Sequence, residues 1–372
     1  MKFIDLSKQQ SLIRSRVDQR ISKVLEHGRY IMGPEVYELE EELAHYVDIE
    51  FCLTCSSGTD ALLIPLLAKG IGRGDAVITT PFTYIATAEV IKLVGATPIF
   101  IDIDPVTFNI NPELIDYGIN LANKKGLSPK AIIPVDLFGQ PANYTEIEKY
   151  AKKYDLFVIE DAAQGFGGEI KNRKACTFGD VASTSFFPAK PLGCYGDGGA
   201  IFTKNEELYE IMKSIRIHGE GEDKYDNVRL GLNGRLDTLQ AAVLLEKLSL
   251  FKDEVVKRNH IADYYNLNIS DSFIKPNISK NYVSSWAQYS LLCKSVDFRD
   301  IVIKYLFKND IPAMIYYRVP LHLQAVFANL GYRKGDLPVS EEISEKIFSI
   351  PMHPYIDNDQ QNMVIEALLN VE

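Results

Sequence analysis

Lys190 lies in the stretch Thr184-Ser185-Phe186-Phe187-Pro188-Ala189-Lys190-Pro191-Leu192-Gly193, with prolines on both sides, an aromatic pair before it and Gly193, Gly196, Gly198 and Gly199 after it. A lysine in such apolar surroundings has its pKa lowered toward the free amine, the form that condenses with carbonyls. Upstream, the apolar run Phe157-Val158-Ile159 ends in Glu160-Asp161-Ala162-Ala163-Gln164. Ligands of open α/β sheets sit beyond the carboxyl ends of the strands, so Asp161 either points into a site or caps the next helix. Further upstream, Ser56-Ser57-Gly58-Thr59-Asp60-Ala61 lies between a strand pattern and a helix pattern. Its backbone N–H groups and hydroxyls can converge on an anion at a helix start, where the dipole also favours negative charge. The same residue types also serve as ordinary N-caps.

Together these parts say more than each alone. A sequestered amine, a strand-end carboxylate and an anion cup are what pyridoxal 5'-phosphate requires: an amine to hold its aldehyde, an acid to keep its ring nitrogen protonated, and donors for its phosphate.

The surrounding pattern is that of an α/β protein with a mostly parallel sheet, because extended and helical patterns alternate from about residue 35. Ala76 to Thr79, Pro98 to Ile101, Ala131 to Pro134, Leu156 to Ile159, Val181 to Ser185 and Ala200 to Thr203 read as strands. Glu35 to Tyr46, Asp60 to Lys69, Thr87 to Val94, Thr145 to Tyr154 and Glu206 to Arg216 read as helices, with Gly70, Gly95 and Gly126 placed as C-terminal caps. A long helix, Thr238 to Tyr265, bridges to a smaller α+β region with a strand at Trp286 to Cys293 and helices at Phe298 to Lys308 and Glu341 to Ser349. The expected division is a large α/β domain over residues 1–245, including the N-terminal segment, and a small C-terminal α+β domain over 246–372.

Composition narrows the function. The 372 residues are 46% hydrophobic and 24% charged, as in a folded globular chain. A net charge of −10 repels nucleic acid and anionic lipid. No apolar run reaches the roughly 18 to 20 residues that span a bilayer, and the N-terminus lacks a signal-peptide pattern, so a cytoplasmic protein is expected. Five cysteines are scattered, and the Cys52-x-x-Cys55 pair lacks a second pair for zinc and reads as part of a buried strand. The histidines, His27, His45, His218, His260, His322 and His353, show no metal-ligand spacing, so no catalytic metal is expected. Gly70-Ile71-Gly72-Arg73-Gly74 precedes a strand instead of following one, which disfavours a nicotinamide-binding domain. A non-catalytic binding protein would have no need of Lys190.

The ordered motifs Gly33-Pro34-Glu35-Val36, Ser57-Gly58-Thr59-Asp60-Ala61-Leu62, Pro81-Phe82-Thr83-Tyr84, Glu160-Asp161-Ala162-Ala163-Gln164, Ser185-Phe186-Phe187-Pro188-Ala189-Lys190, Gly196-Asp197-Gly198-Gly199-Ala200 and Gly231-Leu232-Asn233-Gly234-Arg235-Leu236-Asp237 resemble the DegT/StrS family of nucleotide-sugar aminotransferases over nearly the whole chain. The resemblance implies the aspartate-aminotransferase-like fold (fold type I) and pyridoxal phosphate as cofactor. It implies that Lys190 forms the Schiff base, Asp161 pairs with the ring nitrogen, and Gln164 meets the phenolic oxygen. Gly58, Thr59 and Ser185 would hold the phosphate with Asn233 from the partner subunit of a homodimer, and Tyr84, in preference to Phe82, would stack on the ring.

Within that family, Phe3-Ile4-Asp5-Leu6, Gly28 to Pro34, Phe187 to Tyr195 and Pro351-Met352-His353-Pro354-Tyr355 are most similar to the subgroup that aminates UDP-linked 2-acetamido-3-oxo-glucuronate for bacterial O-antigen. L-Glutamate is the donor that the resemblance implies. A doubly phosphorylated substrate needs nearby arginines against the chain's negative charge, and Arg29, Arg229, Arg235 and Arg318 are available. The subgroup resemblance places Arg235, Tyr316 and Tyr317 on the sugar side and Gly28, Arg29 and Tyr30 near the nucleotide. Tyr316-Tyr317-Arg318 departs from the subgroup, which commonly carries His-Tyr-Pro or Tyr-Tyr-Pro there. Aminotransferases for dTDP-3-oxo hexoses, or for UDP- or GDP-4-oxo sugars, are the alternatives.

Overall fold

The computed structural model describes residues 1–223 and 225–371. Its central sheet contains β1 (Phe51–Cys55), β2 (Asp75–Thr79), β3 (Thr97–Phe100), β4 (Ser128–Ile133) and β5 (Phe157–Asp161). After two short ribbon strands, β6 (Glu169–Ile170) and β7 (Arg173–Lys174), come β8 (Val181–Ser185) and β9 (Gly199–Thr203), which complete it. The order across the sheet is β1-β9-β8-β5-β4-β2-β3. From β8 to β3 every pairing is parallel, whereas β9 is antiparallel to both neighbours.

Parallel strands need crossovers. α3 (Gly58–Ala68), α4 (Ala86–Leu93), α5 (Ile115–Lys124) and α6 (Tyr144–Tyr154) supply them, and α7 (Glu206–Arg216) follows β9. Because side chains alternate along a strand, each strand feeds two cores. Leu53, Ile133, Phe157, Ile159 and Ile201 face α3, α4 and α7. On the other face, Cys52, Ala182 and Phe202 meet α2 (Pro34–Val47) and the start of α8 (Thr238–Asn268), while Ile78, Ile132 and Val158 meet α5 and α6. This alternation decides the fate of the two carboxyls ending β5. Asp161 shares the face of Phe157 and Ile159, under α3 and α4; Glu160 goes to the opposite face, where its oxygens accept the N–H groups of Cys176 and Phe178 at 2.7 and 2.8 Å.

α8 is 31 residues long, roughly 46 Å at the usual rise, and leads from the large-domain core into the small one without a break. The boundary expected at 245/246 falls inside it. The small core surrounds the antiparallel pair β11 (Tyr289–Leu292) and β12 (Ile347–Ile350), packed by α9 (Val296–Lys308), α11 (Asn358–Asn370) and the end of α8. β10 (Tyr282–Val283) joins the ribbon of β6 and β7.

Two differences from the sequence pattern have clear causes. The helix expected over Glu341 to Ser349 is α10 (Pro338–Lys346), and Ile347-Phe348-Ser349-Ile350 is a strand because its alternation pairs with Tyr289–Leu292. The N-terminal helix α1 (Ser7–His27) buries only Gln9, Ile13, Val17 and Val24, a stripe too narrow for an apolar periodicity to register. It is fastened to α8 partly by charge, with Arg16 Nε 3.2 Å from Glu246. The residues ahead of it reach the small core: Met1 packs there and Phe3 stacks obliquely on Tyr316, centroids 6.3 Å apart.

Candidate active site

The end of β1 runs through Ser56 into α3. Ser57, extended, caps that helix by accepting the Asp60 N–H at 3.1 Å, which leaves the first-turn N–H groups of Gly58 and Thr59 as the free donors of the helix start. Gly58 is required by proximity: a methyl group built on it would lie 2.5 Å from Ser185 Cβ. The cup is therefore a helix terminus pressed against the end of β8, with the Ser185 side chain at its lip. Of the two readings the sequence allowed, the cap is observed, and it leaves the Gly58 and Thr59 N–H groups available to an anion.

Asp161 is 4% exposed. Its oxygens accept the Thr87 hydroxyl at 2.8 Å and the Ala163 N–H at 3.2 Å, so it caps the following turn and is held from α4. Burial raises its pKa, and the two hydrogen bonds and the charge of Lys190 oppose that rise. Burial likewise lowers the pKa of Lys190, with Asp161 opposing. The lysine thus holds an amine of reduced basicity within the field of a buried carboxyl. Thr87, which Thr83 backs at 3.0 Å, was not legible in the sequence. A threonine inside an apolar helix carries no motif, and only the shared face of α4 and β5 reveals it.

Gln164 is fixed at both ends. Its carbonyl oxygen accepts the Phe138 N–H at 2.7 Å, and its amide nitrogen donates to the Tyr317 hydroxyl at 2.9 Å. Tyr317 lies 6.0 Å from Phe82 ring to ring, and burial raises its hydroxyl pKa. Phe82 is fully buried and packs as core, whereas Tyr84 is 59% exposed and free to cover a planar ligand.

The expected substrate residues divide by their contacts. Tyr316 and Tyr317 stand with Gln164, Phe82 and the N-terminal Phe3. Gly28, Arg29 and Tyr30 are exposed and run beside the start of α8, where Tyr30 O accepts the Thr238 N–H at 3.0 Å. Next to them Ile31, Ser56, Gly196, Asp197, Asn233, Arg235, Asp237 and Gln240 line a cavity of about 370 Å³. Arg235 Nε is buried there without a hydrogen-bond partner among the described residues, and Asn233 is exposed. Ser56 was read from sequence as part of the anion cup and Asp197 as part of a family motif, whereas Gln240 was not singled out. The loop is tied to the cup, since the Ser56 N–H donates to Gly234 O at 3.0 Å. Arg29, Arg229 and Arg318 are exposed.

The residues present fit pyridoxal phosphate. Gly58 leaves the cup open where a side chain would fill it, the amine and carboxyl lie within each other's field, and an exposed aromatic ring stands free. Among the described residues no cluster of His, Cys, Asp or Glu could hold a metal ion. Cys52 and Cys55 are buried, and burial pushes both thiols up, away from the thiolate a metal needs. No helix among the described residues is long and apolar enough to cross a membrane.

Comparison with known proteins gives the same outline. Residues 11–369 match the DegT/DnrJ/EryC1/StrS aminotransferase family. The chain is 45% identical, over 100% of both chains, to a UDP-2-acetamido-2-deoxy-3-oxo-D-glucuronate aminotransferase of Pseudomonas aeruginosa. It superposes with TM-score 0.96 on the crystal structure of a DegT DnrJ EryC1 StrS aminotransferase from Brucella abortus, at 48% identity, covering 100% of this chain and 99% of that one. NtdA from Bacillus subtilis, solved with bound cofactor PMP, superposes with TM-score 0.89 at 29% identity, covering 99% of this chain and 83% of that one.

Proposed function

Because the chain belongs to the DegT/DnrJ/EryC1/StrS aminotransferase family and is a pyridoxal-phosphate-dependent sugar transaminase, we propose that it moves the amino group of L-glutamate to the C3 keto group of a UDP-linked 2-acetamido-3-oxo sugar, the glucuronate in particular. The observation that carries the reading is the meeting of the β5 and β8 ends at the Gly58 cup: Asp161 pairs in register with Ser183, Ser185 two residues on presses against Gly58, and Lys190 lies within the field of Asp161. The choice of sugar leans on the Pseudomonas relative.

When bound, pyridoxal phosphate supplies an electron sink that makes the α-proton of an amino acid acidic. The chain's residues do the rest. The N–H groups of Gly58 and Thr59 and the Ser185 hydroxyl hold the phosphate, and Tyr84 covers the ring. Asp161 keeps a proton on the ring nitrogen, and Thr87 and the Ala163 N–H hold the carboxyl in place for it. Gln164, clamped between Phe138 and Tyr317, presents its amide to the phenolic oxygen. Lys190 Nζ, of lowered basicity, would take the Cα proton of L-glutamate; the amino group would stay with the coenzyme while water supplies the keto oxygen of the departing 2-oxoglutarate. In the second half the amino group would pass to C3 of the sugar, whose keto oxygen leaves as water, and Lys190 would deliver the proton to C3. Arg235, Tyr316 and Tyr317 face the sugar acid, and Gly28, Arg29 and Tyr30 the nucleotide.

We place the Asn233 and Arg235 loop in the partner's site of a homodimer. Its exposed amide and unpaired guanidinium nitrogen, lining an open cavity, support that placement. The product would enter bacterial O-antigen assembly in the cytoplasm. The test is to incubate purified protein with L-glutamate and UDP-, dTDP- and GDP-linked 3-oxo and 4-oxo sugars and weigh the products. The expected result is a 3-amino product from the UDP-3-oxo-glucuronate; amination of a dTDP or 4-oxo sugar in preference would replace the proposed substrate.

A further inference from the structure

The segment that carries Lys190 is a tight hairpin. Its mouth is closed by the Cys194 N–H donating to Phe186 O at 2.8 Å, and its inner turn by the Lys190 N–H donating to Phe187 O, also at 2.8 Å. Between these bonds runs the limb Pro191-Leu192-Gly193. Gly193 has no room for a side chain, since a methyl group there would lie 2.6 Å from the carbonyl oxygens of Phe187 and Pro188. The Gly193 carbonyl turns away from the hairpin and accepts the ammonium of Lys247 at 2.6 Å.

Lys247 belongs to α8 and is 1% exposed. Its Nζ lies 4.6 Å from the centroid of the Tyr195 ring, just past the hairpin. Burying a lysine is costly unless its head is bonded, and the Gly193 carbonyl is the only hydrogen-bond acceptor of this head among the described residues. Burial lowers its pKa to about 8, with Glu254 opposing. Glu254 and Arg258 follow at spacings that share one face of the helix. Glu254 accepts the Gln9 amide at 2.8 Å, and Arg258 donates to Trp286 O at 3.0 Å. A single buried face of α8 thus holds the Lys190 hairpin, the N-terminal helix and the small domain. The link the structure provides between Lys247 and Lys190 is the backbone limb that runs from Gly193 back through Leu192 and Pro191.

Resting on the role of Lys190 proposed above, we propose that Lys247 is a positioning residue: through the Gly193 carbonyl it sets where the Lys190 amine stands relative to Asp161 and the Gly58 cup. The test uses the coenzyme-free protein, pyridoxal phosphate and borohydride, with the rate of adduct formation at Lys190 followed by peptide mass across pH. Lys247→Met, of similar length and without a donor, should slow labelling at least tenfold with the pH profile unmoved, and Lys247→Arg should recover part of the rate. Gly193→Ala approaches the same limb from the hairpin side, leaves the α8 sequence unchanged, and should give the same loss. Wild-type labelling in a folded Lys247→Met or Gly193→Ala protein overturns the inference. So does a shifted pH profile at an unchanged maximal rate, which would mean that Lys247 acts through its charge. A wild type that carries no adduct at Lys190 removes the functional reading instead.

Discussion

The floor of the site and its rim are built on opposite principles. On the floor, Asp161, Gln164 and Ser185 are at most 9% exposed, and the side chains of Asp161 and Gln164 are each held by two hydrogen bonds. At the rim, Tyr30, Arg29 and Arg318 are exposed, and Arg235 keeps a buried nitrogen with no hydrogen-bond partner among the described residues. Buried polar groups in low dielectric gain most from fixed partners, whereas groups awaiting a large, variable anion must keep their donors unspent. The side chains of Asp161 and Gln164 are therefore held in place within this chain, whereas the rim keeps donors for what binds to it. A fixed floor suits a constant coenzyme, and an unfinished rim suits a family that differs in its sugars.

That contrast can be broken most decisively at Asp161. Asp161→Asn keeps the shape and the Thr87 contact but loses the charge proposed to hold the ring proton. Turnover should fall by about 10²–10³-fold, the scale for removing preorganised electrostatic stabilisation, with coenzyme content retained. An enzyme that keeps a tenth of its activity would show that the buried carboxyl is only structural.

At the rim the expected effect is smaller and of another kind. Arg235→Lys keeps the charge but loses the planar fork, so KM for the nucleotide sugar should rise about tenfold, roughly 1.4 kcal/mol. The glutamate half-reaction, followed by the coenzyme's absorbance, should be unchanged. A loss in the glutamate half-reaction would move Arg235 from the rim to the floor.

The smallest effect concerns the cost of burying the floor. Behind Asp161, the buried Asp136 accepts the Ala142 N–H at 2.9 Å and the Tyr144 hydroxyl at 2.9 Å, and its carboxyl meets that of Glu160. Burial raises its pKa to about 7, and the neighbouring Glu160 is raised as well. A carboxyl whose folded pKa exceeds its unfolded one, about 4, binds more protons folded than unfolded. Stability should therefore fall as pH rises from about 4 through about 7. Thermal midpoints of the coenzyme-free protein should decline across that window, and Asp136→Asn should flatten the decline. An equally steep decline in the variant would assign it to other groups.

The same division governs what could be read from the amino acids alone. β8 and α7 coincide with their periodic patterns residue for residue, and Asp161 could be placed at a strand end because apolar runs and their limits are local properties. Its choice of face was equally local, fixed by alternation from Phe157. The partners were not. Thr87 reaches Asp161 across 74 positions and Lys247 reaches Gly193 across 54, and neither carries a motif. α1 escaped notice because its contact with α8 relies on arginines, Arg16 and Arg20 on Glu246, as well as on an apolar face. The helix placed over Glu341 to Ser349 ran too far because Ile347-Phe348-Ser349-Ile350 becomes a strand only when Tyr289–Leu292 is there to pair with it.

The central claim is that the Lys190 amine is the group that holds and serves the coenzyme. Coenzyme-loaded wild-type protein, reduced with borohydride, digested and mapped by mass spectrometry, tests it most directly. The expected result is a single pyridoxyl adduct, on the peptide containing Lys190, and none in Lys190→Ala. An adduct on a different lysine, or undiminished turnover in Lys190→Ala, would contradict it.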